Sequence, residues 1–261
     1  GMIGLLFLLL FIVPMPIAAE VVTDGSLGPV RNLPGPDYHI DAELGQTRGT
    51  NLFHSFQRFG IENGGSATFT GPTDISHVIT RVTGGEVSSI DGLLRSEVGQ
   101  ADFLFINPAG VVFGPNASID VPAAFHVGTA DELRFEDGSR FSAVEPEAST
   151  LTVAPPEAFG YLAPRPSRLV IEGGRLEPLQ FEPGRTVTLS GGEIAMPGED
   201  YKKDRVFNPG GELRVHAAGA GEHTVSLTGP LERGNGDLTM QSAGLETTDN
   251  GGGNIIVRAG D

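Results

Sequence analysis

Short runs of apolar residues, each closed by Gly, Asn, Asp or Pro, recur along the chain from about Tyr38 onward. Several runs alternate apolar and polar positions, which is the period of a strand with one buried face. Helical spacing is scarce. Segment DISHVITRV (74–82) places apolar residues at helical intervals, but its β-branched residues suit a strand equally well. The pattern therefore predicts an all-β protein.

The second half of the chain repeats one form, a short apolar strand closed by Gly. These strands recur at a spacing of about 20 residues, which is within the range of solenoid repeats. Because one such strand cannot bury its face alone, we expect successive turns to stack as a right-handed parallel β-helix. A β-sandwich also has short strands at regular spacing and stays an alternative. The segments are RLVIEGG (168–174), TVTLSGGE (186–193), ELRVHAAG (212–219), TVSLTGP (224–230) and NIIVRAG (254–260).

The first residues differ from the rest of the chain. Residues 5–13 form an apolar core that is too short for a transmembrane helix, and Ala18 and Ala19 follow it. This arrangement predicts a signal peptide over residues 1–19, read by the Sec machinery. The next stretch, 20–37, is rich in Gly and Pro and is expected to be a loose leader.

Residues 38–261 are predicted to form the β-helix domain. Its last segment is a strand and a Gly with no evident polar cap, although a solenoid needs one to protect its final edge. We therefore expect this domain to be the first part of a longer repeat protein.

Composition narrows the possible functions. The net charge is −16, and the lysines are Lys202 and Lys203, so the sequence offers no basic face for nucleic acid. There is no Cys, which excludes a thiol nucleophile, and the His residues lack metal-binding spacing. We predict no cofactor, no metal and no enzyme activity. The histidines are expected at turns or on the surface: His39, His54, His77, His126, His216 and His223.

Three segments occur in a specific order, and together they carry a family likeness. They resemble the filamentous haemagglutinin N-terminal domain, the secretion domain of TpsA-type two-partner secretion exoproteins. The likeness is strong from Tyr38 to Ala143 and weaker beyond. The segments are RGTNLFHSFQRFGIENGGSATFTGP (48–72), ISHVITRVTGGEVSSIDGLL (75–94) and ADFLFINPAGVVFGPNASIDVPAAFHVGTADELRFEDGSRFSA (101–143).

The resemblance implies a right-handed β-helix with an N-terminal cap and extra-helical strands. It implies recognition in the periplasm by the POTRA domains of a TpsB-type outer-membrane β-barrel transporter. The chain then passes to the cell surface or the medium, and the domain nucleates folding there. Downstream repeats would bind ligands on host or neighbouring cells. A β-helical polysaccharide-active enzyme and an autotransporter-type adhesin passenger are the alternative functions.

The strand LFINPAGVVFG (104–114) is interrupted in its middle. The family's Asn-Pro-Asn-Gly-Ile secretion motif matches Asn107, Pro108, Ala109, Gly110 and Val111, with Ala in place of the second Asn. Pro fixes φ and Gly accepts a positive φ, so these residues suit a tight turn that an Asn side chain can close. The motif is therefore either a corner that keeps the domain folded or a signal contacted by the transporter.

Two further segments have features related to secretion. The segment NLFHSFQRF (51–59) is amphipathic and is predicted to bind the transporter by strand addition while the chain is largely unfolded. Its candidate contact residues are Asn51, Phe53, Phe56 and Phe59. The sequence Phe207-Asn208-Pro209-Gly210 echoes the motif but lies too far along the chain to match the second Asn-Pro motif of some subfamilies.

Overall fold

The structure is a computed structural model that describes residues 20–172, 179–200, 203–248 and 252–260. The predicted signal peptide lies outside these residues. Two 3₁₀ helices occur within them, at Ala42–Leu44 and Pro146–Ala148. The strands are β1 (Val21–Thr23), β2 (Asp37–Ile40), β3 (Gln46–Arg48), β4 (Asn51–Phe59), β5 (Ser66–Phe69), β6 (His77–Val82), β7 (Ser88–Ile90), β8 (Leu93–Ser96), β9 (Asp102–Ile106), β10 (Val111–Phe113), β11 (Ser118–Asp120), β12 (Phe125–Gly128), β13 (Glu132–Phe135), β14 (Arg140–Ser142), β15 (Pro156–Tyr161), β16 (Leu169–Ile171), β17 (Leu179–Gln180), β18 (Thr186–Gly191), β19 (Ile194–Pro197), β20 (Arg205–Phe207), β21 (Glu212–Ala217), β22 (His223–Ser226), β23 (Leu238–Gln241), β24 (Gly244–Glu246) and β25 (Asn254–Arg258).

Three faces of parallel strands make up the main body. The first face runs β4-β6-β9-β12-β18-β21-β25, and the second runs β7-β10-β16-β19-β23. The third runs β2-β5-β8-β11, with β17 next to β11 and continuing as β17-β20-β24. From β6 onward, each turn of the chain contributes one strand to each face. The protein is therefore a parallel β-helix, as predicted, and the β-sandwich alternative is wrong because sandwich sheets are antiparallel.

Side chains at equivalent positions of successive turns stack in ladders, and these ladders fill the inside of the β-helix. On the first face, Val78, Phe103, Phe125, Val187 and Leu213 are register partners on successive strands, and none of their side chains is exposed. Stacking buries the apolar side of every strand against the next turn. This is why strands of four to six residues, unstable singly, form a continuous core.

A four-stranded antiparallel sheet, β14-β13-β15-β22, packs on the outer side of the first face. The outward side chains of Phe53, Ile79 and Leu104 form a second core with residues of this sheet, including Phe159. Gly128 allows the contact, since a Cβ there would lie 3.3 Å from the Phe159 ring. The first face is buried on both sides, which explains its nearly continuous apolar strands. These are the predicted extra-helical strands.

The N-terminal residues form a cap on the first face. Strands β1 and β3 both pair antiparallel with β4, and Val21 lies opposite Phe59 with its side chain fully buried. The prediction of a loose leader over residues 20–37 is corrected for Val21–Thr23, because these residues are paired in the sheet. The cap covers one edge of the first face, an edge that would otherwise offer free backbone groups.

One of the repeat segments has a different place from the one predicted. Segment TVSLTGP (224–230) contributes to β22, which pairs antiparallel with β15 in the extra-helical sheet. The other four segments form β16, β18, β21 and β25 of the β-helix. A short strand closed by Gly looks the same in sequence whether its neighbour runs parallel or antiparallel.

Candidate functional site

The interrupted strand forms a corner of the β-helix. Strand β9 ends at Ile106 on the first face, and β10 begins at Val111 on the second. The N–H of Gly110 donates to the carbonyl of Asn107 over 3.0 Å, which closes a four-residue turn. Gly110 has a φ of 123°, a conformation that disfavours any residue with a Cβ. The predicted Pro-Gly turn is present, and we call residues 107–110 the Asn107 corner.

The side chain of Asn107 is fully buried and uses both ends of its amide. Its Nδ2 donates to the carbonyl of Glu86 and to Oγ of Ser88, each over 2.9 Å. Its Oδ1 accepts the N–H of Ala109 over 2.9 Å. The oxygen closes the turn as predicted. The nitrogen does something the local sequence could not indicate, since it ties the corner to the preceding turn of the β-helix.

Backbone hydrogen bonds hold the Asn107 corner from both neighbouring turns. The N–H of Ser88 donates to the carbonyl of Gly110 over 3.1 Å. The N–H of Asn107 donates to the carbonyl of Gly128, also over 3.1 Å. Pro108 and Ala109 are partly exposed, whereas Asn107, Gly110 and Val111 are buried. In the folded domain a partner can therefore touch the surface that Asn107 shapes, but not its amide.

A second corner repeats this design. Asn208 is fully buried, and its Nδ2 donates to the carbonyls of Arg185 (2.9 Å) and Glu212 (3.1 Å). The N–H of Gly211 donates to the carbonyl of Asn208 over 3.3 Å, and Gly210 has a φ of 63°. This corner leads from the third face to the first, a different edge of the β-helix. Among the described residues, Oδ1 of Asn208 has no hydrogen-bond partner.

The predicted contact residues of segment 51–59 are all buried in the folded domain. Asn51 donates to the carbonyls of Thr152 and Ala154. Phe53 lies in the outer core, while Phe56 and Phe59 lie in the inner core with ring centroids 5.2 Å apart. Of these four, Phe59 lines a surface groove that also contains Glu86 and Val87, next to the Asn107 corner. The four side chains are accessible to a transporter only in a chain that has not yet folded.

Sequence reasoning did not single out Arg81, which joins distant parts of the fold. Arg81 is 1 % exposed, and its guanidinium donates to Oγ of Ser26, Ser55 and Ser149 and to the carbonyl of Ser142. Ser26 lies in the cap, Ser55 in β4, Ser149 at the end of the second 3₁₀ helix and Ser142 in β14. The available signal was a charged residue within a strand that is otherwise rich in β-branched residues.

Among the described residues, no carboxylate forms a direct ion pair with Arg81. Other contacts hold its guanidinium in place. The guanidinium carbon lies 4.0 Å from the centroid of the Phe141 ring. Burial lowers the pKa of Arg81 to about 10, and the nearby carboxylates of Asp24 and Glu147 act in the opposite direction. Arg81 remains charged at neutral pH, and the hydroxyl and carbonyl oxygens solvate it.

The prediction of turn or surface histidines is wrong for three of the six. His54, His126 and His216 are buried on strands. Burial lowers the pKa of His54 and of His126 to about 3 and that of His216 to about 4, so all are neutral at pH 7. Nδ1 of His126 lies 2.8 Å from Oγ1 of Thr188.

Neither a metal-binding cluster nor a membrane-spanning helix is found among the described residues. Across residues 20–172 and the three later ranges, no three acidic or His side chains gather closely enough to hold a metal ion. Within the same ranges, no helix has the length and apolar character needed to cross a bilayer.

Comparison with known protein families agrees with the β-helix fold. The TPS secretion domain, the two-partner secretion module, matches residues 19–259. A comparison with curated proteins gives no match. The family match includes the cap, the three faces, the extra-helical sheet and both Asn corners. Its members are secreted exoproteins that depend on a TpsB outer-membrane transporter, and the family is a secretion module and not an enzyme family. The chain therefore belongs to the TPS secretion domain family.

Proposed function

We propose that this domain directs its exoprotein to the POTRA domains of a TpsB-type transporter in the periplasm. The signal peptide over residues 1–19 first opens export through the Sec machinery. The exoprotein then crosses the outer membrane, and the domain folds outside the cell. Its first turns serve as the template on which later turns stack.

The Asn107 corner is the observation that carries this proposal. A buried side chain with three hydrogen bonds joins two faces and two turns of the β-helix, at the position that matches the family's secretion motif. Losing it leaves the buried hydroxyl of Ser88 and the carbonyl of Glu86 without this donor. The corner thus links the folding of the first turns to secretion.

The parallel ladders support folding as the driving step. Each added strand on the first face completes the backbone hydrogen bonds of the one before it. Folding can therefore proceed turn by turn and oppose return of the chain through the transporter without nucleotide hydrolysis. The segment 51–59, with its buried Phe side chains, would contact the transporter before this step.

Co-expression tests the proposal. The full chain is produced with and without a cognate TpsB-type transporter, and the medium and the periplasm are assayed for the chain. We expect the chain in the medium when the transporter is present and in the periplasm when it is absent. Release into the medium without any transporter would refute the proposal. Cleavage of acidic polysaccharides by the purified domain would instead support the enzyme alternative.

A further inference from the structure

A surface cavity of about 550 Å³ lies where three distant parts of the chain meet. Its lining comes from the cap at residues 24–27, from Gln46, Arg81 and Thr83, and from the segment 146–151 that follows β14. We call it the Arg81 pocket. Its volume is in the range of small-molecule sites, roughly 300–1,000 Å³. Because its lining residues are far apart in sequence, the pocket exists only in the folded domain.

The buried guanidinium of Arg81 brings an unused donor to this pocket. A guanidinium carries five N–H groups. The hydrogen bonds of Arg81 use the N–H of Nε, both N–H groups of Nη1 and one of the two on Nη2. Among the described residues, the second N–H of Nη2 therefore has no acceptor. Since Arg81 is buried and lines the pocket, a molecule bound there is placed to supply one.

Arg81 and Asp24 hold the floor of the pocket in one arrangement. Nη2 of Arg81 donates to Oγ of Ser26 over 3.0 Å, and this hydroxyl donates in turn to Oδ1 of Asp24 over 2.7 Å. Oγ1 of Thr83 donates to Oδ2 of Asp24 over 2.8 Å. Burial alone would raise the pKa of Asp24, but hydrogen bonds from Ser55, Ser26 and Thr83 outweigh it and keep the pKa below its usual value. The floor is thus charged and pre-organised, so a ligand need not order it on binding.

The walls of the pocket offer an acceptor, a donor and apolar surface. The carboxylate of Glu147 is exposed and forms no hydrogen bond or ion pair with the described residues. Nε2 of Gln46 donates one N–H to the carbonyl of Leu27 over 3.1 Å, which leaves its second N–H for a ligand. Leu27 and Leu151 are partly buried against the outer core and complete the walls.

The charges of the lining favour a neutral ligand with hydroxyl groups. Arg81 contributes one positive charge, and Asp24 and Glu147 contribute two negative charges. Both carboxylates interact electrostatically with Arg81, so an anion beside the guanidinium would also be repelled by them. A hydroxyl group is uncharged, accepts from an N–H and donates to a carboxylate. A molecule with several adjacent hydroxyl groups therefore matches the unused groups of the pocket.

We infer that the Arg81 pocket binds a neutral saccharide of one or two pyranose rings. Its hydroxyl groups accept from the unused N–H groups of Arg81 and Gln46 and donate to Glu147, while its C–H surface packs on Leu27 and Leu151. This inference goes beyond secretion and rests on the folded domain alone. It gives the domain a second role after export, as a saccharide-binding module.

A titration of the purified domain with neutral sugars tests this inference. The probes are glucose, galactose, mannose, maltose and lactose, and the readout is the shift of backbone amide signals in ¹⁵N-labelled protein. We expect at least one sugar to bind and to shift the amides of Ser26, Gln46 and Glu147 more than those of distant strands. Absence of saturable binding by every sugar, or shifts confined to other parts of the domain, would overturn the inference.

Two neighbouring glutamates provide a matched pair of variants. Glu147→Gln removes the unpaired carboxylate of the pocket, whereas Glu145→Gln makes the same change two residues earlier, outside the lining. Both side chains are exposed, so we expect unchanged urea midpoints. E147Q should bind the sugar at least about fivefold more weakly than wild type, and E145Q should bind as wild type. Equal affinities of the two variants would contradict the placement of the sugar in this pocket.

Matched sugars test the preference for a neutral ligand. Glucuronic and galacturonic acids differ from glucose and galactose by a carboxylate in place of the hydroxymethyl group. At neutral pH we expect each acid to bind more weakly than its parent sugar, because it brings a second anion beside Asp24 and Glu147. Tighter binding of the acids than of the parent sugars would show that the pocket takes anions and would overturn the inference.

Discussion

The side-chain amide of Asn107 donates a hydrogen bond to the carbonyl of Glu86, 21 residues earlier in the chain, over 2.9 Å. The bond crosses from one turn of the β-helix to the turn before it. A motif that looks local in sequence is therefore a connection between turns. With the bond to Ser88, it holds the chain on both sides of the exposed Val87.

The first prediction concerns the stability of this corner. Asn107→Ala removes three hydrogen bonds and leaves Ser88 and the carbonyl of Glu86 unsatisfied, so the free energy of unfolding should fall by about 1–3 kcal/mol. Asn107→Asp keeps an acceptor for Ala109 but loses both donors, and should be at least as destabilising. Urea denaturation of the purified domain measures both. Wild-type stability of N107A would show that the corner does not depend on this amide.

The second prediction uses the other corner as a control. Asn208→Ala also removes a fully buried amide that bridges turns, so we expect a similar loss of about 1–3 kcal/mol in the same assay. The Asn208 corner lies on a different edge of the β-helix, away from Val87. An unchanged urea midpoint for N208A would remove its value as a matched control.

Much of the fold follows from sequence, but side-chain partners do not. The alternating pattern predicted strands, and Pro108 with Gly110 predicted a turn, because both depend on the chain's local preferences. The carbonyl that Asn107 binds is brought there only by stacking of turns. The burial of Val21 and of His54 likewise comes from strands that are distant in sequence.

The third prediction concerns Arg81. Arg81→Met leaves several buried hydroxyl and carbonyl oxygens without a donor, and it should lower the free energy of unfolding by about 2–4 kcal/mol. Because Arg81 binds both Ser26 of the cap and Ser142 of β14, we expect amide exchange to rise in both regions. Arg81→Lys should restore the charge but not the planar set of donors.

An exposed ion pair provides the control for Arg81. Arg95 pairs with Asp120 over 2.9 Å, with side chains that are 39 % and 53 % exposed. Arg95→Met should cost less than about 1 kcal/mol. Equal losses for R81M and R95M would contradict the role given to Arg81.

The fourth prediction is a pH dependence from His54. Burial lowers its pKa from 6.5 to about 3, and neither ring nitrogen has a hydrogen-bond partner among the described residues. The unfolded chain therefore binds a proton that the folded domain does not. Stability contributed by neutral His54 is complete above about pH 6.5 and falls as the pH drops toward 3.

Replacing His54 tests this directly. His54→Leu removes two unsatisfied nitrogens next to Phe56 and Phe69, so we expect a gain of about 1 kcal/mol at pH 7 and a flatter decline in acid. His39 is exposed, and His39→Leu should leave the pH dependence unchanged. Urea midpoints from pH 4 to pH 7 give the comparison. An unchanged slope for H54L would show that another group causes the acid sensitivity.

Secretion of the Asn107→Ala and Asn208→Ala chains, measured side by side in cells that carry the transporter, tests the central claim most directly. The two variants lose similar hydrogen bonds, but only Asn107 lies in the segment that resembles the family's secretion motif. We expect N208A in the medium and N107A retained in the cell. Secretion of N107A at the level of N208A would contradict the claim that the Asn107 corner directs recognition by the transporter.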